Sequence, residues 1–343
     1  MRTSCVFLAL AVQGAAGFGE SQKFLVVSSP ATGHLAYAKF PADGSPLAAD
    51  GQAMKTLIKS GLVFPQGIAI DNHRGRLFVA DPNQTGLVMY PLTSNGDTLS
   101  VGGSKIIADN VQTRAVSVDG LGNVVFSDEP TSRILRVSAK MIDEGTTVPE
   151  VIYDGSAVPS LKSPGGVASD NYFVYWLNKA GAPQAGTLIR GLQYATAETI
   201  RNATAGVQML ANNALKCYGV CIAGGNLFYT DETAKLYGVN RAATSRHVVT
   251  TISSQLQAPR GCAHDGAGTV YVADKTQNAV FQFAANMDPL EPNTALAKAA
   301  DLQGAFGLAI FDAAGAPSCV ELRSLGRIPS GSLLAFQAKT RHT

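Results

Sequence analysis

The chain repeats one short pattern five times, and this repetition restricts the fold more than any other feature. Each copy contains a turn with a small residue, a short apolar strand, a second turn, and a strand ending in Asp or Asn. Units 42 to 53 residues apart are typical of propellers and other repeat architectures. The copies read PQGIAIDNHRGRLFVAD from Pro65, TRAVSVDGLGNVVFSD from Thr113, PGGVASDNYFVYWLN from Pro164, CYGVCIAGGNLFYTD from Cys217 and PRGCAHDGAGTVYVAD from Pro259, with anchor residues Gly67, Ala115, Gly166, Gly219 and Gly261.

Two further strands follow each copy, which makes four short strands per unit. In the first unit these strands are GLVMYPL and KIIADNV, and the other four units have equivalents. Four strands separated by Gly and Asp turns are the signature of a propeller blade. Helical periodicity is nearly absent outside a short candidate helix within Ala195–Ala214, which disfavours a helical solenoid.

The two ends of the repeat region together supply a sixth blade. The segment from Ala305 to Asp312 repeats the first strand, and FLVVSS, GHLAYAKF and MKTLIKS near the N-terminus supply the second, third and fourth strands. Sharing a blade between the ends closes the ring and removes exposed sheet edges. We therefore predict an all-β, six-bladed β-propeller over residues 24–312, with four antiparallel strands per blade.

The first residues predict a secretory signal peptide over 1–19. Arg2 precedes a short apolar run, and small residues follow in the cleavage region. No later segment is apolar enough to cross a membrane, and residues 313–343 form a mildly basic C-terminal tail without a repeat partner. A secreted or lumenal protein is expected, with N-glycosylation acceptors at Asn83 and Asn202. A formal charge of +2 gives no footprint for nucleic acid.

Four cysteines remain after removal of the signal peptide, which suits two disulfides in an oxidising compartment. Cys217 and Cys221 lie four residues apart on one strand, about 13 Å, too far for a bond. Cys221 and Cys262 are two residues and one residue past their anchors, so they can face each other between adjacent blades. We predict Cys221–Cys262, leaving Cys217 for Cys319. Free buried thiols are the alternative if the chain is not secreted.

The repeats PQGIAIDNHRGRLFVAD and PRGCAHDGAGTVYVAD resemble the NHL repeat of six-bladed propellers. The segments FVYWLN and LFYTD are similar to the YWTD repeat of lipoprotein-receptor ectodomains. This resemblance covers nearly all of residues 24–312 and implies the fold. It leaves function open, because relatives with this fold include binding modules and enzymes.

The resemblance also indicates what an enzyme of this fold would need. Gluconolactonase-type and paraoxonase-type propellers hold a divalent ion with Glu, Asn and Asp, the amidating lyase holds zinc with histidines from several blades, and strictosidine-synthase-like enzymes use one Glu without metal. The channel positions here, one residue before each anchor, are Gln66, Arg114, Gly165, Tyr218, Arg260 and Phe306, none of them a carboxylate. Histidines fall at unmatched repeat positions (His34, His73, His247, His264, His342), and glutamates fall after strand ends or in outer connections (Glu129, Glu150, Glu198, Glu232). We therefore expect no metal and no cofactor.

The channel positions predict a binding site instead. Six-fold geometry places Arg114 opposite Arg260 and Gln66 opposite Tyr218 at the channel mouth. Two guanidinium groups beside an amide and a phenol could hold a carboxylate, a sulfate or a sugar acid. The alternative is that each arginine pairs with a turn Asp or is solvated. The recurring aspartates have a simpler explanation, because a short carboxylate accepts backbone N–H bonds in turns.

These observations favour a secreted, non-catalytic binding module for a protein or a small anionic ligand. One alternative is a lactonase-like or esterase-like hydrolase of the same fold with a non-standard site. Another is a structural component of an extracellular matrix. The oligomeric state is left open.

Overall fold

A computed structural model describes residues 22–180, 186–194, 196–242 and 248–313. The predicted signal peptide, nearly all of the C-terminal tail and Cys319 lie outside these ranges. No helix in the described ranges is long and apolar enough to cross a membrane.

Six antiparallel sheets form a six-bladed propeller, as predicted, and each blade contains four strands ordered from the channel outwards. Blades 1 to 3 comprise Ile68–Asp71, Arg76–Asp81, Gly86–Asn95 and Lys105–Asp109; Thr113–Val118, Val124–Asp128, Arg133–Val137 and Glu150–Asp154; and Pro164–Ser169, Phe173–Asn178, Gly186–Leu192 and Gln208–Ala214. Blades 4 to 6 comprise Cys217–Ala223, Asn226–Asp231, Leu236–Asn240 and Thr250–Ser253; Pro259–His264, Thr269–Asp274, Ala279–Ala284 and Ala297–Asp301; and Leu308–Asp312, Lys23–Ser29, His34–Lys39 and Lys55–Ile58.

Blade 6 is built from both ends of the described chain, as the repeat count predicted. Its innermost strand Leu308–Asp312 pairs antiparallel with Lys23–Ser29, and Val26 lies opposite Ala309. The third and outer strands of this blade follow from the N-terminal segment. The ring is therefore closed by backbone hydrogen bonds between residues almost 290 positions apart in sequence.

Five shorter elements among the described residues add to this plan. The helix Ala197–Arg201 falls inside the predicted helical segment, whereas the helix Ala139–Glu144 was not predicted. Strand Thr98–Val101 extends blade 1 as a hairpin, and Asp50–Ala53 pairs in parallel with the outer strand of blade 5. A 3₁₀ turn occupies Pro82–Gln84. The parallel strand is a second connection between blades 6 and 5.

The glycine anchors lie where the innermost strands of adjacent blades approach one another. A Cβ atom on Gly219 would lie 2.3 Å from the carbonyl oxygen of Arg260, and one on Gly307 would lie 2.2 Å from that of Gln66. Real Cβ atoms do not make contacts this short, so only glycine allows this spacing. The repeated small residue is therefore a consequence of crowding around the channel axis.

The recurring aspartates organise turns, as predicted. Asp265 accepts hydrogen bonds from three successive backbone N–H groups, starting at Ala267. Asp274 accepts from the backbone of Gln257 and Ala258 in the connection that enters the same blade. These carboxylates thus position the loops around the channel.

The hydrophobic core lies between the blades. The single tryptophan, Trp176, is fully buried with Val125 and Tyr153 in the cluster between blades 2 and 3. Its ring centroid lies 5.0 Å from that of Tyr153. Each blade is therefore supported on both faces by its neighbours.

Candidate functional site

The six channel positions identified from the repeats line one cavity at the narrow end of the channel. This narrow cavity has a volume of about 70 Å³. A second cavity, of about 600 Å³, occupies the wider end of the channel. Chain order and blade order coincide, so Arg114 and Arg260 come from blades on opposite sides of the axis. The structure thus brings together Gln66, Arg114, Gly165, Tyr218, Arg260 and Phe306.

Three hydroxyl groups hold the backbone of this cavity in place. Ser28, Ser127 and Thr230 each come from the second strand of one blade and donate to a channel-position carbonyl of the next blade. The acceptors are the carbonyl oxygens of Gln66 at 2.5 Å, Gly165 at 2.7 Å and Arg260 at 2.6 Å, respectively.

Each of these hydroxyls also accepts a hydrogen bond from the innermost strand of its own blade. Because both groups it connects are backbone, the cavity geometry depends little on the channel side chains. The sequence alone gives no signal for these hydroxyls, because Ser and Thr are common in strands.

Arg260 is half-buried and lies between two aromatic rings. Its guanidinium carbon is 4.0 Å from the centroid of Tyr218 and 5.8 Å from that of Phe306. Its Nη1 donates to the carbonyl oxygen of Pro259 at 2.8 Å. Burial lowers the pKa of Arg260 from its usual value, although an arginine stays charged. Among the described residues no carboxylate forms an ion pair with this guanidinium.

Arg114 has a carboxylate partner that the sequence did not suggest. Its Nε lies 2.7 Å from Oε2 of Glu129, and the Lys179 ammonium lies 3.1 Å from the same oxygen. The Arg114 N–H does not point along that contact, so its Nε has no hydrogen-bond acceptor. The pair is therefore an ion pair with one donor still unsatisfied.

Lys179 also lines the narrow cavity, although it is not one of the six channel positions. Burial lowers the pKa of its ammonium, and the neighbouring Glu129 carboxylate opposes this effect. Gly165 makes room for the side chain, because a Cβ atom there would lie 2.7 Å from Cε of Lys179. Three cationic side chains therefore line the cavity, and one carboxylate contacts two of them.

The position of Glu129 corrects the expectation that glutamates stay away from the channel. Glu129 does follow a strand end, but its carboxylate reaches inwards to two cavity residues. Glu129 and Lys179 occupy the same repeat position, directly after the last residue of the second strand. Aligning the repeats at that position would have identified both.

The described residues contain no group of three or more His, Cys, Asp and Glu side chains that could hold a metal ion. His247 and His342 lie outside these ranges. The arginines of the cavity donate hydrogen bonds and accept none, so the site is suited to an anion rather than to a cation.

The predicted disulfide Cys221–Cys262 is present and joins the innermost strands of blades 4 and 5. Its Cα atoms are 5.6 Å apart. Cys217 is a buried thiol with no described cysteine as partner, and burial raises its pKa. The predicted bond to Cys319 falls outside the described residues and stays a prediction.

Both predicted glycosylation acceptors are accessible. Asn83 and Asn202 are exposed. Asn202 Oδ1 accepts hydrogen bonds from the backbone N–H and hydroxyl of Thr204, the third residue of its acceptor triplet.

No protein-family model matches the chain, and no curated protein matches its sequence. Solved structures with similar folds include one from a nidogen/laminin complex, at a TM-score of 0.61 and 15% identity over 85% of this chain and 99% of that one. A gluconolactonase from Xanthomonas campestris has a TM-score of 0.52 and 13% sequence identity, over 71% of this chain and 78% of that one. Regucalcin, a calcium-binding protein from Agrobacterium tumefaciens, has a TM-score of 0.53 and 13% sequence identity, over 77% of this chain and 82% of that one. At these identities the similarity shows the fold alone.

Proposed function

We propose that this protein is a non-catalytic binding module that holds an anionic group in the narrow cavity. The observation that carries this proposal is the charge balance there. Arg114, Lys179 and Arg260 line the cavity, and among the described residues Glu129 is the one carboxylate that pairs with any of them, contacting Arg114 and Lys179. An anion supplied by a partner would complete this arrangement.

Arg260 is the residue best placed to receive that anion. Its guanidinium is partly desolvated between two rings, and a buried charge without a partner is costly. An arginine presents a planar fork of donors that matches a carboxylate or a sulfate. Arg114, which pairs with Glu129, adds positive charge from the opposite side of the axis.

The cavity size limits the group that it admits. A volume of about 70 Å³ accommodates a few water molecules and hence only a few heavy atoms. One carboxylate or sulfate fits, and the rest of the ligand would lie outside, on the rim. The anionic group can belong to a small molecule or to an acidic side chain of a protein partner. The fold neighbour crystallised in the nidogen/laminin complex supports a protein partner by analogy of fold alone.

The same proposal places the protein in the secretory pathway. The disulfide Cys221–Cys262 suits an oxidising compartment, and Asn83 and Asn202 are exposed. The pattern of residues 1–19 supports export. We expect the exported protein to carry a glycan at each asparagine, detected as a mass change on deglycosylation. N83Q and N202Q should each lose one of these glycans.

The binding proposal is tested by titrating the full chain with acetate, sulfate and an acidic peptide while following calorimetric heat. Arg260→Gln is expected to weaken binding at least about tenfold, because it removes the fork of donors. Arg133→Gln is the matched control. Arg133 lies on the third strand of blade 2, away from the channel, and pairs with Asp154. Binding of the peptide but not of the small anions would identify a protein partner.

Two outcomes would overturn the proposal. In the first, every probe binds Arg260→Gln, Arg114→Gln and the parent protein equally. In the second, a screen of lactones and esters shows turnover that a chelator abolishes, which would favour the hydrolase alternative. Stable self-assembly at modest concentration would instead favour a structural role.

A further inference from the structure

Lys179 is an amine held inside an anion-binding cavity, and nothing in the binding proposal requires it to be a lysine. The side chain is largely buried, with 18% of its surface exposed. Its ammonium lies 3.1 Å from Glu129 Oε2 and 5.8 Å from the ring centroid of Tyr218. A desolvated lysine beside a carboxylate and other cations is the environment in which amines act as nucleophiles.

We propose that Lys179 captures a small 2-oxo acid as a reversible imine. The carboxylate of the 2-oxo acid occupies the anion site formed by Arg260 and Arg114, and its carbonyl carbon lies against the Lys179 amine. This inference rests on the proposed anion site and adds a covalent bond to it. It concerns covalent binding rather than turnover.

The chemistry balances with the groups present. Glu129 takes a proton from the Lys179 ammonium, and the free amine pair attacks the carbonyl carbon while the C=O π pair moves onto the oxygen. One proton then passes from the nitrogen to that oxygen, which gives a neutral carbinolamine. Glu129 then returns its proton to the departing hydroxyl group, which leaves as water. The product is a protonated imine between Nζ and the former carbonyl carbon, and the Glu129 carboxylate again neutralises the adjacent positive charge.

The surroundings of Lys179 favour each part of this reaction. Burial lowers the pKa of the ammonium, the Glu129 carboxylate opposes this effect, and nearby Arg114 and Arg260 add to the lowering. Each unit of lowered pKa increases the neutral fraction of the amine about tenfold at neutral pH. Arg114 Nε and the Lys179 ammonium both contact Glu129 Oε2, so these two cationic side chains are neighbours in the cavity. A 2-oxo acid is short enough for its carboxylate to lie against an arginine while its carbonyl reaches the amine.

A matched lysine in the same channel provides an internal control. Lys23 lines the wide end and is 22% exposed, close to the value for Lys179. It donates to the carbonyl oxygen of Asp265 and lies 3.8 Å from Asp312, with no arginine among the residues lining its end. Lys140, which is 81% exposed, represents a surface amine.

The experiment treats the full chain with glyoxylate and cyanoborohydride, which reduces an imine to a stable secondary amine, and maps the labelled peptides by mass spectrometry. Label at Lys179 is expected to appear at least about tenfold faster than at Lys23 or Lys140. Acetaldehyde, which lacks the carboxylate, is expected to lose this preference. Arg260→Gln and Glu129→Gln should each slow labelling of Lys179 while Lys23 is labelled as before.

The outcomes separate this inference from the proposed function. If glyoxylate binds by calorimetry but Lys179 is labelled no faster than Lys23, the imine is disproved and the anion site stands. If glyoxylate neither binds nor labels, both fail. Lys179→Arg keeps the charge, and persistence of the fast label in that variant would also overturn the assignment.

Discussion

Single residues near the axis decide how the blades join. Ser28, Ser127 and Thr230 belong to blades 6, 2 and 4, and their hydroxyls bridge to the next blade. In blades 1 and 5 the equivalent residues are Ala80 and Ala273, which have no hydroxyl. There the anchor N–H bonds directly to the neighbouring carbonyl, at 3.1 Å from Gly67 to Arg114 and 2.8 Å from Gly261 to Phe306. Bridged and direct junctions therefore occur in different blades of one ring.

Replacing one bridging hydroxyl is expected to destabilise the propeller. Thr230→Val keeps the shape of the side chain but leaves the carbonyl of Arg260 and the N–H of Gly219 without their partner. Loss of buried hydrogen bonds of this kind lowers the free energy of unfolding by about 1–3 kcal/mol. Urea unfolding followed by Trp176 fluorescence measures the change. Thr230→Ser retains the hydroxyl, and equal destabilisation in both variants would contradict this explanation.

A buried tyrosine makes stability depend on alkaline pH. Burial raises the pKa of Tyr153 to about 12, and its hydroxyl donates to the carbonyl oxygen of Leu192 at 2.8 Å. An unfolded tyrosine loses its proton near pH 10, so the folded state binds the proton more tightly. The stabilisation is complete below about pH 10 and is lost as the pH rises towards about 12.

Tyr153→Phe is therefore expected to show a shallower loss of stability between about pH 10 and 12 than the parent protein, measured by urea midpoints. The variant starts from lower stability because the hydrogen bond to Leu192 is gone. Tyr172→Phe removes a phenol that is 75% exposed and should leave the slope unchanged. Parallel pH profiles for parent and Tyr153→Phe would refute the prediction.

At the scale of strands, the sequence predicted the features that short local patterns determine. Strand positions, the shared blade and the channel positions follow from short apolar runs between Gly and Asp turns, which recur and so reinforce one another. The strand Asp50–Ala53 was missed because the sequence DGQA carries no strand pattern, and its partner Ala297–Asp301 lies far along the chain. The contacts of Glu129 were missed for a related reason, since side-chain direction at a turn does not follow from period-two alternation.

The parallel strand Asp50–Ala53 is expected to protect the outer edge of blade 5. Gly51 has a φ of +72°, and a Cβ atom there would lie 2.9 Å from Oδ2 of Asp301 and 3.1 Å from Cε of Lys298. Gly51→Ala should therefore loosen this pairing and increase amide hydrogen exchange in Ala297–Asp301. Gly96→Ala is the control, because Gly96 also has a positive φ but no neighbour within 4 Å. Unchanged exchange in Gly51→Ala would show that the edge does not depend on this strand.

At the scale of the whole molecule, stability depends on closure of the ring. Each blade buries its apolar faces against two neighbours, so an open ring would expose two faces at once. Blade 6 closes the ring through hydrogen bonds between Leu308–Asp312 and Lys23–Ser29, with Phe311 and Phe24 fully buried on one side. The repeat count made this closure predictable, because five complete units leave one innermost strand at one end and three strands at the other.

Two truncations separate the ring from the tail. A chain ending after Gly307 lacks the innermost strand of blade 6 and is expected to lose cooperative unfolding, since Phe24 and Val26 would face solvent. A chain ending after Ala313 keeps that strand and lacks Cys319, and its melting temperature should match that of the full chain. A lower melting temperature would show that the tail contributes to stability through Cys217. Circular dichroism melts with and without reductant distinguish these cases. Cooperative melting of the shorter chain at the parental temperature would mean that closure is not what holds the six blades together.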